Sequence, residues 1–147
     1  MPVDNSSQTV NTHSMSTRLF DHIDLRVKNR KNAQRFYAQV LPALGFHVDK
    51  SGDRWGLFEA PGERGVDFFG FTEDAGHVPN ENRIAFWAES RAAVDKIAEV
   101  VERAGGKNIE GPELCAAYSP GYYAVFFEDP DGNKLEVCCR DSATVAE

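Results

Sequence analysis

Four side chains in this sequence invite a chemical question: His22, Asp67, Arg83 and Glu136. Successive residues of a strand point to opposite faces. Alternation therefore places His22, Asp24 and Arg26 on one face and the mainly apolar Asp21, Ile23, Leu25 and Val27 on the other. The same rule sets Arg83, Ala85 and Trp87 opposite Ile84, Phe86 and Ala88, and Lys134, Glu136 and Cys138 opposite Leu135, Val137 and Cys139. Asp67 shares its parity with Phe69 and Phe71, where the adjacent Phe68 and Phe69 make both faces apolar. The expectation is that His22, Asp67, Arg83 and Glu136 project from faces that carry no helix. An imidazole and two carboxylates converging in a cleft suit a divalent first-row metal. The plainer reading is that a lone strand histidine is a polar surface residue and an exposed glutamate is solvated.

Aromatic residues offer a second kind of chemistry. Tyr118, Tyr122 and Tyr123 flank Ser119-Pro120-Gly121, where a phenol can meet a ligand or simply pack before a strand. Trp87 and Trp55 can stack on a ligand ring or fill a concave sheet. His47 and His77 read as surface residues. Cys138 shares the Glu136 face, with nothing in the sequence to lower its pKa.

The elements that must position these groups occur twice. His22–Asn29 and Arg83–Ser90, a shift of 61 residues, each read as an alternating strand ending at a helix N-cap. A helix follows in each half. Ala33, Phe36, Tyr37, Val40 and Leu41 form the first apolar stripe, and Val94, Ile97, Ala98, Val101 and Ala104 the second. Gly45 and Gly105-Gly106 stop them. Three short strands follow each helix: Phe46–Lys50, Arg54–Glu59 and Val66–Phe71, then Lys107–Glu110, Tyr123–Glu128 and Lys134–Cys139. Turns at Ala60–Glu63 and Asp129–Asn133 separate the last two of each set. A shift of 69 lays Phe58–Pro61 on Phe127–Pro130 and Asp67 on Glu136. The chain thus reads βαβββ twice, joined by a polar link from Glu73 to Glu81.

Bulk composition narrows the classes. The 147 residues suit one domain, expected over 18–141 with modules at 18–72 and 82–141. The Ser-, Thr- and Asn-rich residues 1–17 read as a disordered tail and 142–147 as a C-terminal tail. A net charge of −7 without a basic cluster argues against nucleic acid and an anionic membrane. No apolar run has bilayer-spanning length and no signal-peptide core follows Met1, so a cytoplasmic location is expected. Cys115, Cys138 and Cys139 are odd in number and lack zinc-finger spacing, so reduced thiols are expected.

His22-x-x-Leu25-x-Val27, Phe36-Tyr37, Leu44-Gly45-Phe46, Arg83-Ile84-Ala85-Phe86 and above all the run Tyr122–Val137, with its Asp129-Pro130-Asp131-Gly132-Asn133 turn before Glu136, resemble the vicinal oxygen chelate superfamily of glyoxalase, bleomycin-resistance and extradiol dioxygenase proteins. The resemblance covers Phe20 to Arg140. It implies an α+β fold in which two tandem βαβββ modules form a cupped, eight-stranded mixed sheet with helices outside. It also implies a divalent metal (Zn, Ni, Mn, Fe or Co) that chelates substrate oxygens and stabilises an oxyanion. Transferred by position, His22, Asp67 and Glu136 are the metal ligands, with Glu136 also a catalytic proton carrier. Arg83, Trp87, Tyr118 and Tyr123 become substrate contacts, and a homodimer through sheet edges or swapped modules is implied. The departure is Arg83, which stands where the family usually has a histidine. A guanidinium is not a normal metal ligand. It can pair with Glu136 or Asp67 in the metal's place, bind an anionic substrate beside a metal, or point away. Three functions stay open: a metal-linked lyase, isomerase or dioxygenase; a non-catalytic binder of a small flat or cationic molecule; and a domain whose cup serves stability or partner contact.

Overall fold

The computed structural model describes residues 19–62 and 65–140, so the tails expected over 1–17 and 142–147 lie outside the described residues. The order is β1 (His22–Val27), α1 (Arg30–Leu44), β2 (Val48–Asp49), β3 (Trp55–Gly62), β4 (Gly65–Glu73), then β5 (Arg83–Trp87), α2 (Arg91–Ala104), β6 (Lys107–Leu114), β7 (Tyr122–Glu128) and β8 (Lys134–Arg140). The βαβββ unit therefore occurs twice.

Both helices start and stop where local chemistry dictates. The Asn29 side chain accepts from the Asn32 amide, and the Ser90 hydroxyl from the Ala93 amide, each satisfying an otherwise orphaned N–H. Gly45 and Gly105 end the helices at φ +112° and +91°, a region that penalises any Cβ. A 15-residue helix is marginal alone. Burial of Phe36, Tyr37, Val40 and Leu41, each contributing about 1.5–3 kcal/mol, holds α1 in place.

The strands form two four-stranded sheets, ordered β1-β4-β3-β2 and β5-β8-β7-β6. β1–β4 and β5–β8 are parallel pairs and the other neighbours are antiparallel, so both sheets are mixed. Among the described residues no ladder joins the sheets, which leaves β1 and β5 as edges. α1 and α2 pack on each other and on their own sheets. One apolar core runs through both modules. Phe36 meets Phe127 at 6.3 Å between ring centroids, and Phe69 meets Phe86 at 5.5 Å.

The turn between β7 and β8 fastens the modules together. Asp129 is 0% exposed. Its Oδ1 accepts from the amides of Asp131 and Asn133, and its Oδ2 from the Tyr37 hydroxyl at 2.7 Å and Asn133 Nδ2 at 2.8 Å. Asn133 Nδ2 also donates to the Arg26 carbonyl, and its Oδ1 lies 2.8 Å from His77 Nε2. Asp131 Oδ2 accepts from the Lys28 amide at 2.7 Å. Within this turn Gly132 has φ +92°, and a Cβ there would come to 3.2 Å from Pro79. The sequence's most distinctive turn is therefore a joint between modules, and His77, expected to be an idle surface residue, is part of it.

The β3–β4 hairpin departs from the expected repeat. Its strands run through the expected turn to the pair Gly62–Gly65. Phe58 pairs with Phe69 and Phe127 with Leu135, so the shift of 69 that relates β3 to β7 becomes 66 between β4 and β8.

Candidate functional site

That change of shift relocates one predicted site residue. Asp24 pairs with Gly70 in the first module as Ala85 pairs with Glu136 in the second. The counterpart of Glu136 is thus Gly70, not Asp67. Asp67 keeps the parity of Phe69 and Phe71, both fully buried against Tyr37. Phe68 takes the other face and stacks on His22, with centroids 4.3 Å apart. The expectation that Asp67 projects beside His22 from the helix-free face is corrected: β3–β4 pairing runs to Gly62–Gly65 whereas β7–β8 pairing stops at Glu128–Lys134, so one linear shift does not hold across both arms.

His22 lies on the outer face of the first sheet, 47% exposed, with Nδ1 2.8 Å from Asp21 Oδ2. Glu136 lies on the outer face of the second sheet and is 6% exposed. Tyr122 donates its hydroxyl hydrogen to Glu136 Oε2. Burial pushes the Tyr122 phenol well above its usual pKa, and hydrogen bonds with Cys138 and Glu136 push the same way. It therefore remains a donor across the physiological range. Tyr122, Ala124 and Cys138 form a small buried cluster, with Cys115 and Phe126 packed against it. Tyr118 meets the Tyr122 ring edge-on at 5.4 Å, and the Arg140 guanidinium lies 4.7 Å above that ring.

Arg83 packs against an aromatic ring. Its guanidinium sits over the Phe126 ring, 4.9 Å from the centroid, a cation–π contact. It is in register with Lys134, not Glu136, and among the described residues it forms no ion pair. The Arg83–Glu136 pair that the sequence left open is replaced by the Tyr122–Glu136 hydrogen bond.

Beside this cluster runs a groove of about 460 Å³, lined by Glu110, Glu113, Leu114, Cys115, Ala116, Ala117, Tyr118 and Phe126. Tyr118, 67% exposed, forms its rim. Burial raises the Cys115 pKa, as do the charges of Glu113 and Glu136, so the thiol stays protonated and is a poor nucleophile. The groove offers aromatic surface and carboxylates, a combination suited to flat or cationic organic molecules.

Tyr123 is not part of it. Its hydroxyl donates to Asp95 Oδ1 on α2 at 2.6 Å, and the Arg91 guanidinium lies 5.3 Å from its ring centroid. That hydrogen bond, with some burial, pushes its pKa up to about 12. Tyr122 is the tyrosine that shares the sheet face of Glu136. Parity with the buried Val125 and Phe127 separates the two, but a strand apolar on both faces obscures that signal.

Within one chain the expected ligand set is not brought together. Among the described residues no group of three or more His, Cys, Asp or Glu side chains is arranged to hold an ion. Asp67 is on the wrong face and Arg83 has no lone pair to give. His22 and Glu136 alone fall short of the three protein ligands typical of catalytic zinc sites.

Comparison with known proteins supports the architecture. The profile of the Glyoxalase/Bleomycin resistance protein/Dioxygenase superfamily matches residues 19–137. A Bacillus subtilis (strain 168) protein, the uncharacterized YqjT, is 29% identical over 126 residues, covering 79% of this chain and 94% of that one. A glyoxalase/bleomycin resistance protein from Albidiferax ferrireducens T118 superposes with a TM-score of 0.69 at 23% identity, over 84% of this chain and 99% of the other. The fosfomycin resistance protein FosX of Listeria monocytogenes gives 0.62 at 18% identity, over 83% and 93%. At these identities the two structures speak to fold alone.

Proposed function

Because the chain belongs to the glyoxalase/bleomycin resistance protein/dioxygenase superfamily, we propose that it binds a small organic molecule in the groove of its second module, without a metal held by His22, Asp67 and Glu136. The observation that carries this reading is the Glu136 carboxylate. It is nearly buried, hydrogen-bonded by Tyr122, and in register with Phe126, which lines the groove together with Cys115. A carboxylate taken out of water interacts more strongly with a ligand donor or cation than one in bulk solvent. The chain's net charge of −7 favours the approach of cations. A cytoplasmic location belongs to the same reading, and among the described residues no helix is long and apolar enough to cross a membrane.

The reading includes a homodimer. The unpaired edges of β1 and β5 are open to strand partners. Setting β1 of one copy beside β5 of another would complete an eight-stranded cup and bring His22 of one chain toward the Glu136 face of its partner.

The test is a thermal-shift screen of flat aromatic cations and small oxygenated compounds, followed by calorimetry on hits. A hit should lose about tenfold or more in affinity in Glu136→Gln and in Phe126→Ala, and should bind equally after EDTA treatment. Affinity unchanged in both variants would sink the groove reading. A second reading, a metal-linked lyase, isomerase or dioxygenase, draws support from His22 and Glu136 both lying on outer faces. Near one equivalent of tightly held Mn, Fe, Co, Ni or Zn, lost in His22→Ala, would favour it over metal-free binding.

A further inference from the structure

A second cavity, separate from the groove, lies where the two modules meet. It measures about 260 Å³ and is lined by Leu44, Phe46, Ala60, Asp67, Phe86 and Trp87. None of these residues lines the groove. The first module supplies the first four and the second module supplies Phe86 and Trp87, so neither module makes the cavity alone.

We propose that this cavity binds a small organic cation, a protonated or quaternary amine with an apolar body. The argument is one of charge and shape. Asp67 is the one ionisable group among the six lining residues. The other five are apolar, and three are aromatic. Phe46 and Phe86 meet nearly edge to face, with centroids 6.2 Å apart and planes at 73°. Phe69, fully buried, packs behind both at 6.5 Å and 5.5 Å, so these two rings are set by the core. Trp87 is 67% exposed, a costly placement for an indole that gains nothing from the core. Aromatic faces attract a cation through their negative quadrupole, and a carboxylate adds a formal charge without demanding the donor count of a metal. An anion meets repulsion from Asp67. A neutral molecule gains from the rings but not from the carboxylate. The volume is below the usual range of about 300–1,000 Å³ for drug-sized sites, which limits the ligand to one ring or a short chain.

The correction to Asp67 gives this cavity its meaning. The sequence repeat had set Asp67 beside a metal on the outer face. The register instead turns it toward Phe69's side of the sheet, where it faces the junction with the second module.

The experiment uses the full chain carrying Trp55→Phe, which leaves Trp87 as its sole indole. Benzyltrimethylammonium is titrated while Trp87 emission is followed, with benzyl alcohol and phenylacetate as neutral and anionic counterparts. A saturable change is expected for the cation, weakened about tenfold or more in Asp67→Asn and abolished in Ala60→Phe, which fills the cavity. Benzyl alcohol should bind at least about tenfold more weakly and phenylacetate not measurably. Circular dichroism and urea midpoints establish that each variant is folded. If one is not, the other carries the test. No saturable change, equal binding of benzyl alcohol, or a cation affinity indifferent to the folded variant would overturn the proposal.

Discussion

At the scale of single residues, Glu136 and Tyr122 depend on each other. The carboxylate is nearly out of water and its Oε2 accepts from the phenol. Tyr122→Phe keeps the ring that Tyr118 and Arg140 pack against and removes only the donor. A buried acceptor left without its partner costs about 1–3 kcal/mol. Urea unfolding of Tyr122→Phe should therefore show a loss in that range with an unchanged denaturant slope. A loss near zero would mean that solvent reaches Glu136 well enough to replace the phenol. Arg83 shows how residue type constrains without deciding. Its chemistry rules out metal ligation, but its place above Phe126 follows from its neighbours on β7 and β8.

At the scale of elements, the β7–β8 turn and α1 are joined through Tyr37 and Asp129. Tyr37→Phe removes one of the donors to a fully buried carboxylate. A loss of about 1.5–3 kcal/mol is expected, as for hydrogen bonds to charged groups. The same pair sets an alkaline limit. Burial, then the Asp129 charge and hydrogen bond, hold the Tyr37 phenol well above the ordinary tyrosine value. The unfolded chain ionises this tyrosine near pH 10 while the folded chain keeps it protonated. The Tyr37 contribution is therefore fully present below about pH 10 and is lost as pH rises further toward the folded pKa. Stability measured between about pH 9 and 11 should fall for the wild type and fall less steeply for Tyr37→Phe. Parallel slopes would remove Tyr37 from the account. Tyr122 and Tyr123 are shifted in the same direction, so a residual slope is expected.

At the scale of the molecule, β1 and β5 are edge strands, and the proposed homodimer would pair them. Light scattering on the wild type should give about twice the chain mass of 16.3 kDa. Charged substitutions outward on the β1 edge should shift it toward the monomer. A monomeric wild type would remove the dimer from the functional reading and leave the groove, which one chain builds by itself.

Much of this protein was set by its sequence alone. Period-two and helical patterns, two N-caps and two stop glycines marked both βαβββ modules, because each of those signals acts over a few residues. The outward placement of His22, Arg83 and Glu136 followed from parity within one strand. Three things waited for the tertiary structure. Asp67 lost its place as the counterpart of Glu136, since register depends on how far both arms of a hairpin run before they turn. Tyr122 bonds Glu136 and Tyr123 bonds Asp95, a split hard to read in sequence because β7 is largely buried on both of its faces. The eight strands fell into two sheets, with α1 and α2 packed together, because long-range contacts such as Phe36 with Phe127 and Tyr37 with Asp129 join the modules. Local patterns fix which way a side chain points along its own strand. What it points at is decided by residues far away in the chain.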